Sequence, residues 1–182
     1  RNERIYMTER TIITNYIKHI RQSVINSEEL NSNLNEFVLD INGMTNYRVK
    51  HFLNNLASFE GCRLLEIGSY QGATFCSMLF NNRQIKNAKT ITNWTECGKE
   101  GVKDRKVFIN NLKKIKKNRI DKEKIEVYDN NSNTTDTTRI KNVNLVFYDG
   151  SHTQEDQYNT LIRFNQCLED IFILVVDDFN SK

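Results

Sequence analysis

The sequence predicts a single doubly wound α/β domain: a mainly parallel sheet with helices on both faces, behind a helical preface. Three observations predict it. Five short runs, RLLEIG, KTITNW, KIEVYD, NLVFYDG and IFILVVDD, are apolar on consecutive positions, as strands buried on both faces of a parallel sheet are. Helical periodicity fills the gaps at Gly72 to Phe80, Lys99 to Lys117 and Gln154 to Cys167, and this alternation specifies the class. The length of 182 residues suits one well-buried core and is too short for two ordinary domains.

Residues 1–60 form the preface and 61–182 the core of the same domain. In the preface Ile12, Ile13, Tyr16, Ile17 and Ile20 make one apolar stripe at helical spacing, and Val49, Phe52, Leu53 and Leu56 make another. The segment NSEELNSNLNE between them is polar and loop-like, and NGMTN marks a turn. The amino terminus has no methionine, and the chain stops just after its most apolar run. We expect the natural protein to continue.

Composition excludes several classes. Lys plus Arg number 26 against 23 Asp plus Glu, and the net charge of +3 is too small to argue for nucleic acid. Much of the excess lies in KKIKKNR, Lys113 to Arg119. Its plain reading is a solvated helix face, and its sharper one a nucleic-acid patch. The four cysteines lack metal-ligand spacing, so we expect thiols in a reducing, cytoplasmic compartment. No run reaches the length of a membrane span and no apolar stretch follows the first charges; we expect no membrane partner.

In such sheets ligands collect at the carboxyl ends of the strands. The first end, Glu66-x-Gly68-x-x-x-Gly72, is neither G-x-G-x-x-G nor a P-loop. An acid there repels a pyrophosphate but can hold an ammonium through ordered water or backbone, and Gly68 lets a main chain approach a ligand. A ligand-free turn is the plainer reading. Asn93 and Trp94 follow the second strand; Trp94 reads equally as a wall for a ligand and as a core anchor. Asp149, Asp177 and Asp178 close the last two strands. Three converging carboxylates are costly without a neutralising cation, and oxygen ligands favour Mg²⁺ or another hard divalent ion. The alternative is helix capping or pairing with Lys and Arg. His152 stands three residues after Asp149, as a general base or as a residue that merely bonds backbone. Ser151 and Thr153 are candidate N-caps, with Asp156 placed as a capping-box partner.

These motifs resemble the class I S-adenosylmethionine-dependent methyltransferases, most closely a bacterial and viral group. The matching segments are GMTNYRVKHFLNNLASFEGCRLLEIGSYQGATF, ITNWTEC, YDGSHTQEDQYNTL and FILVVDDFN, from Gly43 to Asn180. The resemblance implies a Rossmann-like fold and S-adenosylmethionine as cofactor. It places Glu66, Gly68, Ser69 and Gly72 along the methionine and ribose, and Asn130 to Ser132, with Asn131, near the adenine. It puts Asp149, Asp177 and Asp178 where metal-dependent catechol and sugar O-methyltransferases hold their ion. The implied activity is O-methylation of a small sugar-like or phenolic acceptor, with His152 or Asp149 taking the proton. Relatives carry acids where this chain has Thr92, Asn131 and Ser151, which leaves Asn93 or Glu96 for the ribose. A non-catalytic binding or assembly module is therefore the alternative, and a nucleic-acid methyltransferase a weaker third; a homo-oligomer fits any of these. The family's last two strands, an antiparallel hairpin, fall beyond Lys182.

Overall fold

The computed structural model describes residues 8–116 and 125–178. Its preface comprises α1 (Glu9–Glu28), a one-turn α2 (Glu36–Leu39) and α3 (Tyr47–Leu56). Each starts where the sequence supplies a capping oxygen: Thr8 accepts from Thr11 N–H at 3.3 Å, Asn35 from Val38 N–H at 3.2 Å and Asn46 from Val49 N–H at 3.0 Å. The short α2, EFVL, begins at the last residue of the polar segment and is a single turn, too short to show helical periodicity.

The core follows as β1 (Arg63–Ile67), α4 (Ala73–Leu79), β2 (Asn87–Thr92), α5 (Gly98–Lys116), β3 (Ile125–Asp129), β4 (Val143–Tyr148), α6 (Gln154–Phe164) and β5 (Leu168–Val176). All five expected strands form, and they pair in parallel in the order β3-β2-β1-β4-β5. Side chains alternate across the sheet. Leu64 and Phe147 pack into a large core with Leu53, Phe75, Met78 and Phe108, under α3, α4 and α5. Leu65, Ile67 and Val146 face a smaller core closed by Phe164 and Cys167. Helix α4 is buried along its whole length, as is β4.

IFILVV, the most apolar run, forms β5, which among the described residues pairs only with β4 and leaves Leu174 39% exposed. The α1 stripe is likewise only half used: Tyr16 and Ile20 pack against the large core, whereas Ile13 and Ile17 are 46% and 45% exposed. None of the four cysteines is in a disulfide. Among the described residues no helix is long and apolar enough to cross a membrane.

Candidate functional site

The strand order reverses between β1 and β4, and the loops leaving these strands carry the candidate residues. Backbone bonds extend the sheet into them: Gly68 N–H donates to Ile91 O at 2.9 Å, Asp149 N–H to Ile67 O at 2.8 Å and Asp177 N–H to Tyr148 O at 2.9 Å. Gly68 has φ +92°, and a Cβ there would lie 1.8 Å from the Asp149 carbonyl oxygen. Its missing side chain thus lets two strand ends touch, a closer demand than the approach of a ligand. Gly72 starts α4 at φ +91°, and a Cβ on it would meet the Phe108 ring at 2.9 Å.

Glu66 lies beneath this turn, fully buried. Its carboxyl accepts from Ser69 Oγ and, at 2.6 Å, from Thr74 Oγ1. Burial, opposed by these hydrogen bonds and reinforced by Asp149, pushes its pKa up to about 8. Glu66 offers a ligand no direct contact: it anchors the loop from below, so it acts on the strand end only through the backbone, and Ser69 is turned inward with it, 3% exposed. Thr92, which replaces an expected acid, also braces the loop, its Oγ1 accepting Ser69 N–H at 2.8 Å.

A cleft of about 300 Å³ opens above the sheet between Gly68, Thr92, Asn93, the Asn130–Asn133 turn and Ser151. It brings together four of the expected cofactor positions: Gly68, Asn93, Asn131 and Ser132. Asn131 shapes its own turn, its Oδ1 accepting Asn133 N–H at 2.9 Å. Asp156 was legible in the sequence only as a cap. Its N–H donates to the Thr153 cap at 3.2 Å and its carboxylate accepts from Thr153 Oγ1 at 2.8 Å, but it also lines the cleft and accepts from Ser151 Oγ at 2.6 Å and Asn133 Nδ2 at 3.2 Å. These bonds, that from Ser151 foremost, hold its pKa below the ordinary value. An acid therefore reaches this cleft from α6 although Asn131 and Ser151 carry none.

Trp94 is a core anchor. It is 2% exposed, its ring lies 4.8 Å from that of Phe108, and Nε1 donates to Tyr70 O at 2.8 Å. This corrects its placement among the cofactor contacts, because the indole has no exposed face. The Glu96 side chain lies outside the described residues. So do Lys117 to Arg119 of the basic run; within it Lys114 Nζ sits 4.9 Å from the Phe37 ring centre.

A second hollow of about 210 Å³ adjoins, lined by Thr45, Asn46, Asp149, His152, Asp177 and Asp178. Asp149 also closes a small recess beside Ser69 and Tyr70, so it stands where the Gly68 loop meets the second hollow. Burial, then Asp177 and Asp178, push its pKa up to about 7. The three acids share the hollow, but among the described residues no three His, Cys, Asp or Glu are grouped to hold a metal ion. Asp177 Oδ1 turns back to accept Asp178 N–H at 3.0 Å, and Asp178 Oδ2 faces His152 Nδ1 at 3.5 Å. The expected metal centre does not fit this arrangement, because two of its carboxylates are directed to other partners. Thr45 and the rest of the 43–46 loop carried no chemical signal in the sequence; only packing of the preface onto the strand ends brings them here.

A parallel sheet ordered 3-2-1-4-5, with its cleft at the switch between β1 and β4, defines the Rossmann-like methyltransferase fold. The chain belongs to the methyltransferase-domain family, whose model matches residues 65–179. Solved structures share the fold at low identity. The SAH-bound methyltransferase PaMTH1 of Podospora anserina is 14% identical with a TM-score of 0.59, over 95% of this chain and 72% of that one. CalS11, a TDP-rhamnose 3'-O-methyltransferase of calicheamicin biosynthesis, is 12% identical with a TM-score of 0.55, over 97% and 81%. A Staphylococcus aureus protein described as a caffeoyl-CoA O-methyltransferase is 12% identical with a TM-score of 0.55, over 91% and 73%. No curated protein sequence matches the chain.

Proposed function

We propose that the chain is an S-adenosylmethionine-dependent methyltransferase acting on a hydroxyl of a small, sugar-like or phenolic acceptor. The observation that carries this reading is the position of Asp149, half-buried where the loop after β1 meets the second hollow. Membership of the methyltransferase-domain family and the SAH-bound neighbour support the cofactor. The 300 Å³ cleft, with amide side chains at Asn93 and within the Asn130–Asn133 turn, offers donors and acceptors to an adenosine. When bound, S-adenosylmethionine supplies a methyl group on a sulfonium that leaves as a neutral thioether.

The chain's own residues would align the acceptor oxygen and take its proton. A carboxyl with a pKa of about 7 is part-ionised at neutral pH and suited to accept a hydroxyl proton as the new O–C bond forms. His152, held toward Asp178, lines the same hollow and is placed to orient the hydroxyl. Proton removal by Asp149 requires no divalent ion, and transfer should persist in EDTA.

Isothermal calorimetry with S-adenosylhomocysteine, followed by methyl transfer to a panel of sugars and phenols, tests the reading. Asp149→Asn should abolish transfer while keeping cofactor affinity within a few-fold. A chain that binds no S-adenosylhomocysteine refutes it. A non-catalytic binding module is the second reading, favoured by Thr92, whose hydroxyl is committed to the Ser69 amide where an acid is expected to hold a ribose. A melting temperature unchanged by cofactor at a hundred times the expected Kd, which should otherwise add about 2.7 kcal/mol, would favour that module.

A further inference from the structure

The half-used stripe of α1 is an apolar feature that neither core absorbs. Ile13, Ile17 and Val24 are 46%, 45% and 44% exposed along one helix. At about 100° per residue, Arg10, Ile13, Ile17, Val24 and Glu28 fall within about 60° of arc, one stripe on the flank of α1 beside its packed face, with the exposed Arg21 about 20° beyond its charged edge. Its order is basic, apolar, apolar, apolar, acidic. Such an order complements itself when reversed.

We propose that α1 pairs antiparallel with α1 of a second copy of this chain, about a twofold axis passing near residue 19. Arg10 and Glu28 are equidistant from that residue, so each Arg10 faces the other copy's Glu28 at both ends of the interface. Ile13 of one copy then lies about 1.5 Å along the axis from Val24 of the other, and the two Ile17 side chains sit about 6 Å apart, one turn across the twofold. A parallel arrangement would set Arg10 against Arg10 and Glu28 against Glu28. Glu28 already pairs with Arg48 of α3 at 3.4 Å, but both side chains are well exposed, so this pair yields at little cost. The adjoining face of α1, about 80° round the helix, is committed to its own chain through Tyr16, Ile20 and the buried Ser23 and Ser27, which leaves the stripe on the helix flank. A 20-residue helix presents about 30 Å of length, a single helix pair and therefore a small interface.

Sedimentation velocity of the full chain from about 1 to 200 μM should show a monomer–dimer equilibrium. Ile17→Lys should raise the dissociation constant by at least about a hundredfold, since two buried isoleucines become two facing cations. Arg10→Glu should raise it about tenfold, and Arg10→Glu combined with Glu28→Arg should recover most of the loss. Circular dichroism should be unchanged in all variants, because every altered side chain is solvent-exposed in one copy. A monomer throughout the range, a dimer indifferent to Ile17→Lys, or a charge swap no better than Arg10→Glu would each overturn the proposal. Cofactor binding is read separately, so its failure leaves this result standing, and the reverse.

Discussion

Replacing Gly68 with alanine should cost far more than its conformation alone explains. At φ +92° an L-residue pays about 1–2 kcal/mol. The added Cβ would also sit 1.8 Å from Asp149 O, at least 1.2 Å short of the 3.0 Å closest approach that such atoms reach. The obstacle is backbone, not a side chain that can swing away, so β1 and β4 must part at their carboxyl ends. That separation breaks the 2.8 Å bond from Asp149 N–H to Ile67 O in a buried setting, a further loss of about 1–3 kcal/mol. The total is about 2–5 kcal/mol. Gly61 provides the control: its φ is +80°, but nothing lies within 4 Å of the point where its Cβ would sit, so Gly61→Ala should cost only about 1 kcal/mol. Urea unfolding at pH 7, followed by fluorescence of the single tryptophan, measures both. Equal losses at the two positions would refute the argument that Gly68 exists to let the strand ends meet.

Other expectations follow from the buried acids and the anchor. Glu66 has its pKa raised from 4.5 to about 8 in the folded chain. The folded state therefore holds a proton that the unfolded state has lost between those values, and the stabilisation, complete below pH 4.5, declines as pH rises toward 8. The slope should approach about 1.4 kcal/mol per pH unit from this group, and Glu66→Gln, which stays neutral, should flatten it; an unchanged slope counts against a protonated Glu66. Asp149 moves in the same sense, from 3.8 to about 7, so methyl transfer should rise with pH through neutrality in a profile that Asp149→Asn abolishes. Trp94→Phe removes the 2.8 Å bond to Tyr70 O and indole packing on Phe108, and should lower stability by about 1–3 kcal/mol in calorimetric melts while leaving cofactor affinity unchanged. A large affinity loss without destabilisation would return Trp94 to the cleft.

Much of the site was legible because its residues follow apolar runs. Gly68, Asn93, Asn131, Ser132, Asp149, His152, Asp177 and Asp178 do line the hollows at the strand ends. What the runs do not encode is direction. Glu66 and Trp94 also stand at strand ends, yet both point into the core, where burial fixes one as a loop anchor and the other against Phe108. Asp177 and Asp178 are adjacent in sequence, but a backbone amide and His152 draw their carboxylates apart. Asp156 showed its capping pattern and nothing of its second role, because Asn133 approaches it from a different loop.

The sequence by itself determined five parallel strands, the helices between them and which end of the sheet carries polar chemistry. Those are local consequences of consecutive apolar positions, capping residues and the alternation of periods. Only the tertiary structure decided that Glu66 and Trp94 would point into the core, that Gly68 serves Asp149 O, and that half of the α1 stripe would stay exposed. Hydrophobicity states that a side chain seeks burial, and not against what; partner and direction are fixed only when distant segments compete for the same space.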